Sequence, residues 1–546
     1  MTRVRPLLLL ALLAALATGA TVTLDKFTGE LSPYMEGRSD LSIYQTGLRE
    51  LTNMVVETQG GVAKRPGTYF INETAATATI GVPGVDGDYP TLRATTDQAD
   101  PSLTHTTAIS NLTELAAMAD NLSGNYYLTG NIDASGTAAG DYNSGYGWQP
   151  IGTQSSPFTG TFDGVGYSIS DLTIDREYVL GLRGLFGYIR SPAKIANVTL
   201  ADCDMSIGRT SSGALVGQAN ANATSNVLIQ NCHVTGTVQA RGTTPTFIGG
   251  LVGWADGDAV DKQVFIYDCT TTCSVNAESY GEATQVTYLG GLVGVATFTK
   301  ILNCSASGNV TGTDLGASYV GGLIGSIGTA GDNSEVTYSS ATGDVFGEDF
   351  VGGFAGHVLI PVATGFIRKC SATGDVTADG TATSDMGGFV GKGEQGEFTD
   401  CYAWGDVTNT GGGDPVGGFV GNDGTTLTNV YSVGLITTDG TYSGGLVGDA
   451  SGVSDTSCYW DTETSGQSTS DAGTGHITTW MKTKTNYTDA GWDFDTIWYS
   501  AYVAGTETTY DLEGEPVRLI SYTYKTDESY TVEVGKYHMK FYKEAD

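Results

Sequence analysis

Residues 319–325 read Tyr-Val-Gly-Gly-Leu-Ile-Gly, and this pattern of paired glycines, two hydrophobic residues and a closing glycine recurs through the middle of the chain. The closing glycines are Gly217, Gly253, Gly294, Gly325, Gly356, Gly391, Gly421 and Gly448, after a degenerate first copy at residues 184–187. Successive copies are 30, 36, 41, 31, 31, 35, 30 and 27 residues apart. Nine copies at this spacing indicate a repeat array.

A second short block follows each closing glycine after 9 to 16 residues. It is clearest at residues 303–310, Asn-Cys-Ser-Ala-Ser-Gly-Asn-Val, and at residues 369–376, Lys-Cys-Ser-Ala-Thr-Gly-Asp-Val. Both blocks are short, β-prone and bounded by glycine or polar residues, which predicts strands joined by turns. Because one unit cannot bury its own apolar side, the units are expected to stack into an all-β parallel β-solenoid of about nine repeats. The paired glycines are predicted where a corner needs positive φ or where two backbones approach closely.

Eight cysteines accompany the repeats, and in a chain with a secretory leader they would ordinarily suggest four disulfides. Seven of them recur once per repeat, and Cys273 alone falls outside the pattern; the seven are Cys203, Cys232, Cys269, Cys304, Cys370, Cys401 and Cys458. Two copies replace the thiol by Ser339 and Val430. A periodic cysteine is more simply a small buried side chain in one inward position, so reduced, packed thiols are predicted.

The composition excludes several classes of protein. A formal net charge of −34 opposes nucleic-acid binding, because a protein that binds the phosphate backbone has to neutralise phosphates with Lys and Arg. The 78 glycines show no Gly-X-Y period, which excludes collagen. Near the start, Arg3 and Arg5 precede an apolar run at residues 6–17 and small residues at 18–20, which is the layout of a secretory leader. No later stretch is long and apolar enough for a membrane span, so a mature chain without such a span is expected.

The repeat blocks resemble GLUG motifs, which occur in many large bacterial surface proteins and in some secreted immunoglobulin A peptidases. The resemblance covers about residues 105–498, because residues 109–115, 125–128, 148–152 and 158–164 resemble the segment that usually opens such arrays, and residues 458–461 through 491–495 the segment that closes them. It implies an extracellular binding or spacer module. It does not imply peptidase activity, since the zinc ligands of the peptidase relatives lie outside the repeats and no His-Glu-x-x-His occurs in this sequence.

Residues 22–73 and 517–546 are similar to bacteriophage tail tubular proteins, the nozzle-type structural proteins of short-tailed phages. The residues that carry this resemblance are Gly29, Glu30, Leu31, Ser32, Pro33, Gly37, Arg38, Asp40, Gln59, Gly60, Gly61, Arg65, Pro66 and Gly67, followed by Val-Arg-Leu-Ile at 517–520 and β-prone runs at 530–534 and 539–543. Apolar spacing at residues 41–51 also predicts one short helix, capped by Ser39 or Asp40. In that family the second block follows the first almost directly, so the solenoid resembles an insertion into a small β-rich domain.

Two features depart from the phage family. A single glycine stands before Glu30 where the family often has two, and the chain stops at Asp546 soon after the first strands of the family's domain while carrying a leader that tail proteins normally lack. A shortened gene product and a domesticated phage remnant both remain open explanations. The predicted layout is a signal peptide at 1–20, a phage-like segment at 21–73, a linker at 74–104, a solenoid opening at 105–175, repeats at 176–460, a closing segment at 461–500, a linker at 501–516 and phage-like strands at 517–546.

Catalytic signatures are absent from the sequence. The five histidines, at 105, 233, 357, 476 and 538, show no ligand or triad spacing, and neither a nucleophile elbow nor a phosphate loop occurs in the required context. Asp163, Asp461, Asp493 and Asp495 are glycosidase carboxylates by residue type only, because nothing pairs them at the required separation. Aromatic residues near the strands, namely Tyr319, Tyr402, Trp404, Tyr431 and Tyr459, suit either a glycan-binding face or packing. No catalytic residue or cofactor is therefore predicted.

One acidic series is regular. Asp344, Asp375 and Asp406 share a repeat position, with Asn309 in the preceding copy. Coils stacked about 4.8 Å apart would place these carboxylates in a ladder whose repulsion in water is about 0.8 kcal/mol per neighbouring pair. Two interpretations follow, a solvated acidic edge and, less favoured, a Ca²⁺ site.

Together the motifs predict a non-enzymatic structural protein of a phage tail, located in the virion, whose solenoid adheres to a host-surface glycan or protein. Its partners would be other tail proteins, with homo-oligomerisation if it belongs to the virion. The alternative is a secreted bacterial surface adhesin with GLUG repeats. A polysaccharide-degrading tailspike-like enzyme is a third and weaker possibility.

Overall fold

The computed structural model describes residues 105–499 except 177–180, 209–210, 222–224, 242–245, 260–261, 279–286, 314–317, 362–364, 379–384, 414, 451 and 495–496, together with residues 70–71, 80–81 and 540–541. The chain divides into two compact units. One comprises residues Ser102–Met481, and the other combines Met1–Pro101 with Lys482–Asp546. The larger unit contains all of the repeats.

Each complete coil of the larger unit contributes strands to four parallel sheets, named A to D here in chain order. One complete coil runs from Thr287–Gly290 in sheet A to Val293–Thr297 in sheet B, Thr299–Leu302 in sheet C, and Ser305–Ala306 and Val310–Thr313 in sheet D. The next coil pairs with it in register, strand for strand and in parallel, as at Val293 with Ile324 and Ile301 with Val336. The predicted parallel β-solenoid is therefore confirmed.

The strands of the two glycine-rich sheets follow the repeats. Among the described residues, sheet A has eight strands, at Ser212–Gly213, Thr246–Gly249, Thr287–Gly290, Ser318–Gly321, Phe350–Gly352, Met386–Gly387, Val416–Gly417 and Ser443–Gly444. The part of sheet B that is described has nine, at Phe186–Arg190, Val216–Asn220, Val252–Asp256, Val293–Thr297, Ile324–Gly328, Ala355–Leu359, Val390–Gln395, Val420–Asp423 and Val447–Ala450. The degenerate first repeat thus keeps its sheet B strand, and its place in sheet A is a single bridge between Arg183 and Ser212.

The other two sheets begin earlier, in the opening segment. Sheet C has strands at Thr107–Ile109, Asn125–Leu128, Thr161–Asp163, Lys194–Ala196, Val227–Gln230, Val264–Tyr267, Thr299–Leu302, Glu335–Thr337, Phe366–Arg368, Glu397–Thr399, Thr426–Thr428 and Ser454–Thr456. Sheet D has strands at Ile132–Asp133, Ser168–Ser170, Thr173–Arg176, Thr199–Ile207, His233–Arg241, Thr270–Thr271, Ser274–Glu278, Ser305–Ala306, Val310–Thr313, Ser340–Ala341, Val345–Gly347, Ser371–Ala372, Val376–Ala378, Tyr402–Ala403, Val407–Asn409, Tyr431–Ser432, Ile436–Thr438, Tyr459–Asp461 and Thr474–His476. Residues 105–175 therefore form the first coils of the solenoid.

The glycines of the first repeat block lie at the corner between sheets A and B, where two residues connect the strands in each repeat. A Cβ added at Gly322 would lie 2.2 Å from the carbonyl oxygen of Gly353 in the next coil, and one added at Gly325 would lie 2.5 Å from that of Gly294. Neither Gly322 nor Gly325 has positive φ. Of the two reasons predicted for the paired glycines, close backbone approach is therefore confirmed, and positive φ is not found at them.

Positive φ occurs instead at the corner between sheets C and D, which also has two residues. Its first residue has φ between 50° and 55° in eight successive coils, at Asn231, Asp268, Asn303, Tyr338, Lys369, Asp400, Asn429 and Ser457. Asn and Asp are the side chains that tolerate this conformation best. They also hydrogen-bond from coil to coil, since Asn303 Nδ2 donates to Asp268 Oδ1 at 2.6 Å and Asn429 Nδ2 donates to Asp400 Oδ1 at 3.0 Å.

Six cysteines occupy the second position of this corner, namely Cys232, Cys269, Cys304, Cys370, Cys401 and Cys458. Each thiol donates to the carbonyl two residues earlier, as Cys304 Sγ does to Leu302 O at 3.3 Å. Ser339 keeps this bond, because its hydroxyl donates to Thr337 O at 2.9 Å. All eight cysteines are buried and free. The second repeat block is therefore a corner in which a small side chain both packs and satisfies a carbonyl.

Cys203 was expected with this periodic set, and the structure corrects that. Val198 holds the corner position in that coil, after Asn197 with φ 58°. Cys203 instead lies opposite Gly236, and the flanking pairs Val234 with Thr271 and Thr237 with Ser274 place Gly236 in register with Cys273 of the following coil. The thiols of Cys203 and Cys273 interact across the glycine, and their hydrogen bond, with burial, raises the pKa of Cys203.

The hydrophobic core lies between the sheets and is continuous through the array. The two hydrophobic residues of each glycine block point into it, and the first of them forms a stack of rings where Phe354, Phe389 and Phe419 lie 4.5 and 4.6 Å apart. Since each coil buries its apolar side chains against the coils before and after it, the array is stabilised chiefly by stacking.

Additional segments cover the ends of the solenoid. In the opening segment an α-helix at Leu112–Ala117 is capped by Asn111 Oδ1, which accepts the Glu114 N–H at 3.0 Å, and 3₁₀ turns occur at Met118–Asp120, Ser135–Ala138 and Tyr142–Gly145. At the other end, Thr469 O accepts the Gly445 N–H and Val447 O accepts the Asp471 N–H. Residues 469–471 thus hydrogen-bond to backbone groups at the last strands of sheets A and B. A short helix follows at Thr478–Met481.

The smaller unit is described at fewer positions. It contains a helix at Lys484–Asp489 and two antiparallel strand pairs, Phe70–Ile71 with Ile80–Gly81 and Trp498–Tyr499 with Lys540–Phe541. The rings of Trp492 and Trp498 lie 4.6 Å apart. The helix predicted at residues 41–51 and all fourteen phage-motif residues lie outside the described residues, as does the leader at 1–20.

Candidate functional site

The predicted acidic ladder has a structural role. Asp375 Oδ1 accepts the Asp406 N–H at 2.8 Å, and Asp344 Oδ1 accepts the Asp375 N–H at 3.0 Å. Asn309 Oδ1 does the same for Asp344, and Asp406 Oδ1 for Leu435. Each side chain therefore satisfies the backbone of the next coil where sheet D is interrupted. In the described part of the chain, no group of three or more His, Cys, Asp and Glu side chains is arranged to hold a metal ion.

The two candidate glycosidase carboxylates of the larger unit, Asp163 and Asp461, do not come together. Asp163 and Asp461 are fully buried and lie in coils at opposite ends of the array. Asp163 lies 2.8 Å from His105 Nε2, and its other oxygen accepts the Val165 N–H and the Asn197 amide. Asp461 Oδ1 accepts two backbone N–H groups, from residues 463 and 464, and the hydroxyl of residue 478. Both carboxylates are therefore bound within the fold; Asp493 belongs to the smaller unit, and position 495 is outside the described residues.

The aromatic candidates divide by burial. Tyr402 and Tyr431 stack 5.3 Å apart inside the core, Tyr459 is 8% exposed, and the Trp404 indole nitrogen is also buried. Burial raises the pKa of Tyr402 to about 12, as expected for a phenol that is part of the packing. Among the five aromatic candidates, Tyr319 and Trp404 are half-buried, and Tyr319 lies on the outward face of sheet A.

Tyr319 belongs to an outward row on sheet A that spans several coils. The rings of Tyr288 and Tyr319 stack at 4.9 Å and those of Tyr319 and Phe350 at 4.6 Å, with interplanar angles of 12° and 13°. Phe247 extends the row, 5.2 Å from Tyr288, and Trp254 of sheet B packs edge-on against it at 5.1 Å. Because the inner rings cover each other's faces, this part of the row presents mainly ring edges.

Polar groups follow the aromatic row in the next coils. The register continues from Phe350 to Asp385, Pro415 and Tyr442, since Val351 N–H donates to Asp385 O at 3.1 Å, Met386 N–H to Pro415 O at 3.0 Å and Val416 N–H to Tyr442 O at 3.0 Å. Asp385 is 6% exposed, and Tyr442 is 61% exposed. A buried carboxyl and an exposed aromatic ring therefore share one row, two strands apart.

Sheet B supplies the facing side chains, which are in register at His357, Lys392, Asn422 and Asp449. Lys392 Nζ lies 2.8 Å from Glu394 Oε1 and 5.4 Å from the centre of the Phe350 ring. His357 Nδ1 is 3.0 Å from the hydroxyl of residue 326, and its ring centre is 5.1 Å from that of Tyr319. These contacts between the two sheets define a composite surface, called the A/B corner here.

The electrostatics of the A/B corner are dominated by acids. The pKa of Asp385 is raised to about 6, chiefly by burial and to a smaller extent by Asp449 and Glu394, against the lowering effects of Lys392 and the hydrogen bond from Asn422. The hydrogen bond and charge of Lys392 lower the pKa of Glu394. Lys392 is thus neutralised by Glu394, while Asp385 and Asp449 leave the surface acidic at neutral pH.

Sequence reasoning missed the A/B corner because its members occur singly in repeats of unequal length. Seven of its members lie at the same repeat position, two residues before the first glycine of the block; they are Phe247, Tyr288, Tyr319, Phe350, Asp385, Pro415 and Tyr442. Aligning the repeats on the closing glycine would have shown this column. The contacts with His357 and Lys392 depend on the angle between two sheets and leave no such signal.

A comparison with protein families identifies the GLUG motif at residues 286–311. This segment spans the sheet A strand, the glycine corner, the sheet B strand and the cysteine corner of one coil. The GLUG part of the expected resemblance is therefore supported. No finding supports a phage tail tubular protein.

Two curated relatives match parts of the chain. Halomucin of Haloquadratum walsbyi is 34% identical over 186 residues, which is 34% of this chain and 2% of halomucin. A protein of Evansella cellulosilytica described as a Gly-rich membrane protein is 42% identical over 93 residues, which is 16% of this chain and 11% of that protein. The matched segments thus span only small parts of these relatives. Within the described ranges of the present chain, no helix is long and apolar enough to cross a membrane.

Two solved structures align over much of the chain at a low level of similarity. A Bacteroides ovatus protein described as an immunoglobulin A1 protease has 17% identity and a TM-score of 0.33, covering 72% of this chain and 89% of that one. A second structure, described as an IgA1 protease, has 16% identity and a TM-score of 0.33, covering 68% and 26%. Neither likeness bears on activity. The chain is an all-β parallel β-solenoid that carries a GLUG motif.

Proposed function

We propose that this protein is a non-enzymatic secreted or cell-surface protein whose GLUG-type solenoid serves adhesion. The observation that carries the proposal is the solenoid itself, in which the repeat residues of both corners are used for packing and backbone satisfaction. A long stack with regular faces offers an extended surface for contact with other molecules. The relatives named as halomucin and as a Gly-rich membrane protein support a location at the cell surface.

A non-enzymatic role is supported by the burial and hydrogen bonding of the candidate glycosidase carboxylates. Asp163 and Asp461 are buried and engaged in hydrogen bonds, so neither is available to protonate a leaving group or to attack a sugar. The net charge of −34 further supports a partner other than nucleic acid.

Location and adhesion are tested together in cells that express the full-length gene. Immunoblots of medium, surface-digested cells and cytosol should find the chain outside the membrane. Beads coated with the full chain should be retained on a cell or polysaccharide surface in larger numbers than beads coated with albumin. Confinement to the cytosol, or retention no greater than that of albumin beads on every surface tested, would exclude the adhesin.

A phage-tail role is the second candidate, and the observation that favours it is the motif order at residues 22–73 and 517–546. In that role the solenoid would project from a tail domain. Mass spectrometry of purified phage particles from the producing strain decides between the two, because a tail protein yields solenoid peptides at a stoichiometry comparable to that of other tail components.

A further inference from the structure

The A/B corner combines an exposed aromatic ring with buried hydrogen-bonding groups over three successive strands. Asp385, Pro415 and Tyr442 occupy one register position on sheet A, so Asp385 and Tyr442 are about 10 Å apart along the solenoid. Tyr442 is 61% exposed as a residue, whereas the rings from Tyr288 to Phe350 are stacked on one another. Tyr442 is therefore the member of this row whose ring has the most surface available to a ligand.

The groups around Asp385 provide both donors and acceptors. Asn422 bonds to the Asp385 carboxyl, and Lys392 and Asp449 lie close enough to affect its ionisation. The Tyr319 phenol lies within the electrostatic influence of Lys392 and of three acids, Glu394, Asp349 and Asp385. A ligand hydroxyl donates and accepts at once, so it suits a surface on which carboxylate, amide and ammonium groups lie side by side.

Two other classes of extended ligand suit this surface poorly. Acidic polymers would meet Asp385 and Asp449 without a free cation, because Lys392 is paired with Glu394 at 2.8 Å. An extended peptide binds chiefly by adding a strand to an open sheet edge. Sheets A and B are paired with the coils on both sides at Met386 and Lys392, so only side chains are offered there.

We infer that the A/B corner around Asp385, Asn422 and Tyr442 binds a neutral polysaccharide whose chain runs along the solenoid axis. The Tyr442 ring packs against the apolar face of one sugar, and the polar groups near Asp385 bond to hydroxyls of a sugar two coils away. This inference rests on the proposed adhesive function and names its ligand class and its site. The corner binds the chain and contributes no bond-breaking step.

The test is an array of neutral and acidic glycans probed with the full-length chain, followed by calorimetric titration with the neutral hexasaccharide that gives the strongest signal. Tyr442→Ala should weaken binding at least tenfold, and Tyr442→Trp should retain it. Asn422→Ala should also weaken binding, because it removes a half-buried side-chain amide beside Asp385 that can both donate to and accept from a sugar hydroxyl. Tyr267→Ala removes an outward aromatic ring from sheet C and should leave the affinity unchanged.

The inference fails if no neutral glycan binds, if acidic glycans bind more tightly than neutral ones, or if Tyr442→Ala binds as tightly as the parent chain. Bead retention separates this failure from that of the proposed function. If beads coated with Tyr442→Ala are retained as well as beads coated with the parent chain, the adhesive function is supported and the proposed glycan site is disproved. Hexasaccharide binding that depends on Tyr442, with no bead retention on any surface, would confirm the site and overturn the adhesive role. A circular dichroism melt of each variant shows whether the fold is intact.

Discussion

Substituting Gly322 by valine tests whether close approach of neighbouring coils is what requires glycine in the two-residue turn between the strands of sheets A and B. The added Cβ would lie 2.2 Å from the Gly353 carbonyl oxygen and 3.0 Å from the Ala341 Cβ. Ordinary C···O contacts are about 3.3 Å or longer, so the coils would have to separate locally by about 1 Å. That movement strains the Gly322 N–H to Gly352 O bond of 3.2 Å and the Leu323 N–H to Phe354 O bond of 2.9 Å.

The expected cost follows from these two effects. Overpacking in a dense interior costs about 1–3 kcal/mol, and each weakened backbone bond adds about 1 kcal/mol. Gly322→Val should therefore lower the free energy of unfolding by about 3–5 kcal/mol. Gly322→Ala should give most of this loss, because the clash arises at Cβ.

Urea unfolding followed by circular dichroism measures the loss, and hydrogen exchange locates it. Since a solenoid opens locally, faster exchange is expected in the coils next to the substitution and not at its ends. Gly130→Val is the matched control, because a Cβ there has no atom within 4 Å and the residue lacks positive φ. An unchanged midpoint for Gly322→Val, or equal losses for the two variants, would refute the reasoning.

Three further results are expected. Burial raises the pKa of Asp385 to about 6, above its usual 3.8, so the protonated carboxyl stabilises the folded state below pH 3.8 and this stabilisation is lost as pH rises through 6. The free energy of unfolding of Asp385→Asn should therefore increase by about 1–3 kcal/mol relative to the parent chain between pH 4 and pH 8. A difference between the two chains that does not vary with pH in urea titrations would contradict this. Asp375→Ala removes the acceptor of the Asp406 N–H and should lower the free energy of unfolding by about 0.5–1 kcal/mol, whereas Asp375→Asn keeps an acceptor oxygen and should lower it less. Calcium should not shift the melting temperature of the parent chain. A calcium-dependent rise in the parent chain that is lost in both variants would instead support the metal site. Cys304→Ser should change the free energy of unfolding by less than about 1 kcal/mol, since Ser339 already makes the equivalent hydrogen bond in its own coil. Cys304→Leu should lower it by about 1–3 kcal/mol, because the larger side chain overpacks the corner. Equal melting temperatures for these two variants would argue against a packed corner.

The fold was predictable because the same sequence pattern, with the same steric and packing requirements, recurs in many repeats. The glycine block at residues 321–325 and the cysteine block at residues 303–306 each recur with a fixed internal spacing, and each proved to be a two-residue corner. The number of residues between blocks varies, but that variation does not alter the stacking rule. The prediction was less accurate where it assigned a conformation to single residues, as with positive φ, which belongs to Asn303 and its equivalents.

The sequence by itself determined the parallel stacking, the position of the core and the use of small residues at the corners, because these follow from periodicity and side-chain size. The tertiary structure decided which side chains meet across different sheets. The pairing of Cys203 with Cys273 depends on register, and the meeting of Tyr319 with His357 and of Phe350 with Lys392 depends on the angle between sheets A and B. Such contacts join residues whose separation along the chain carries no periodic signal, so only the folded coils bring the A/B corner together.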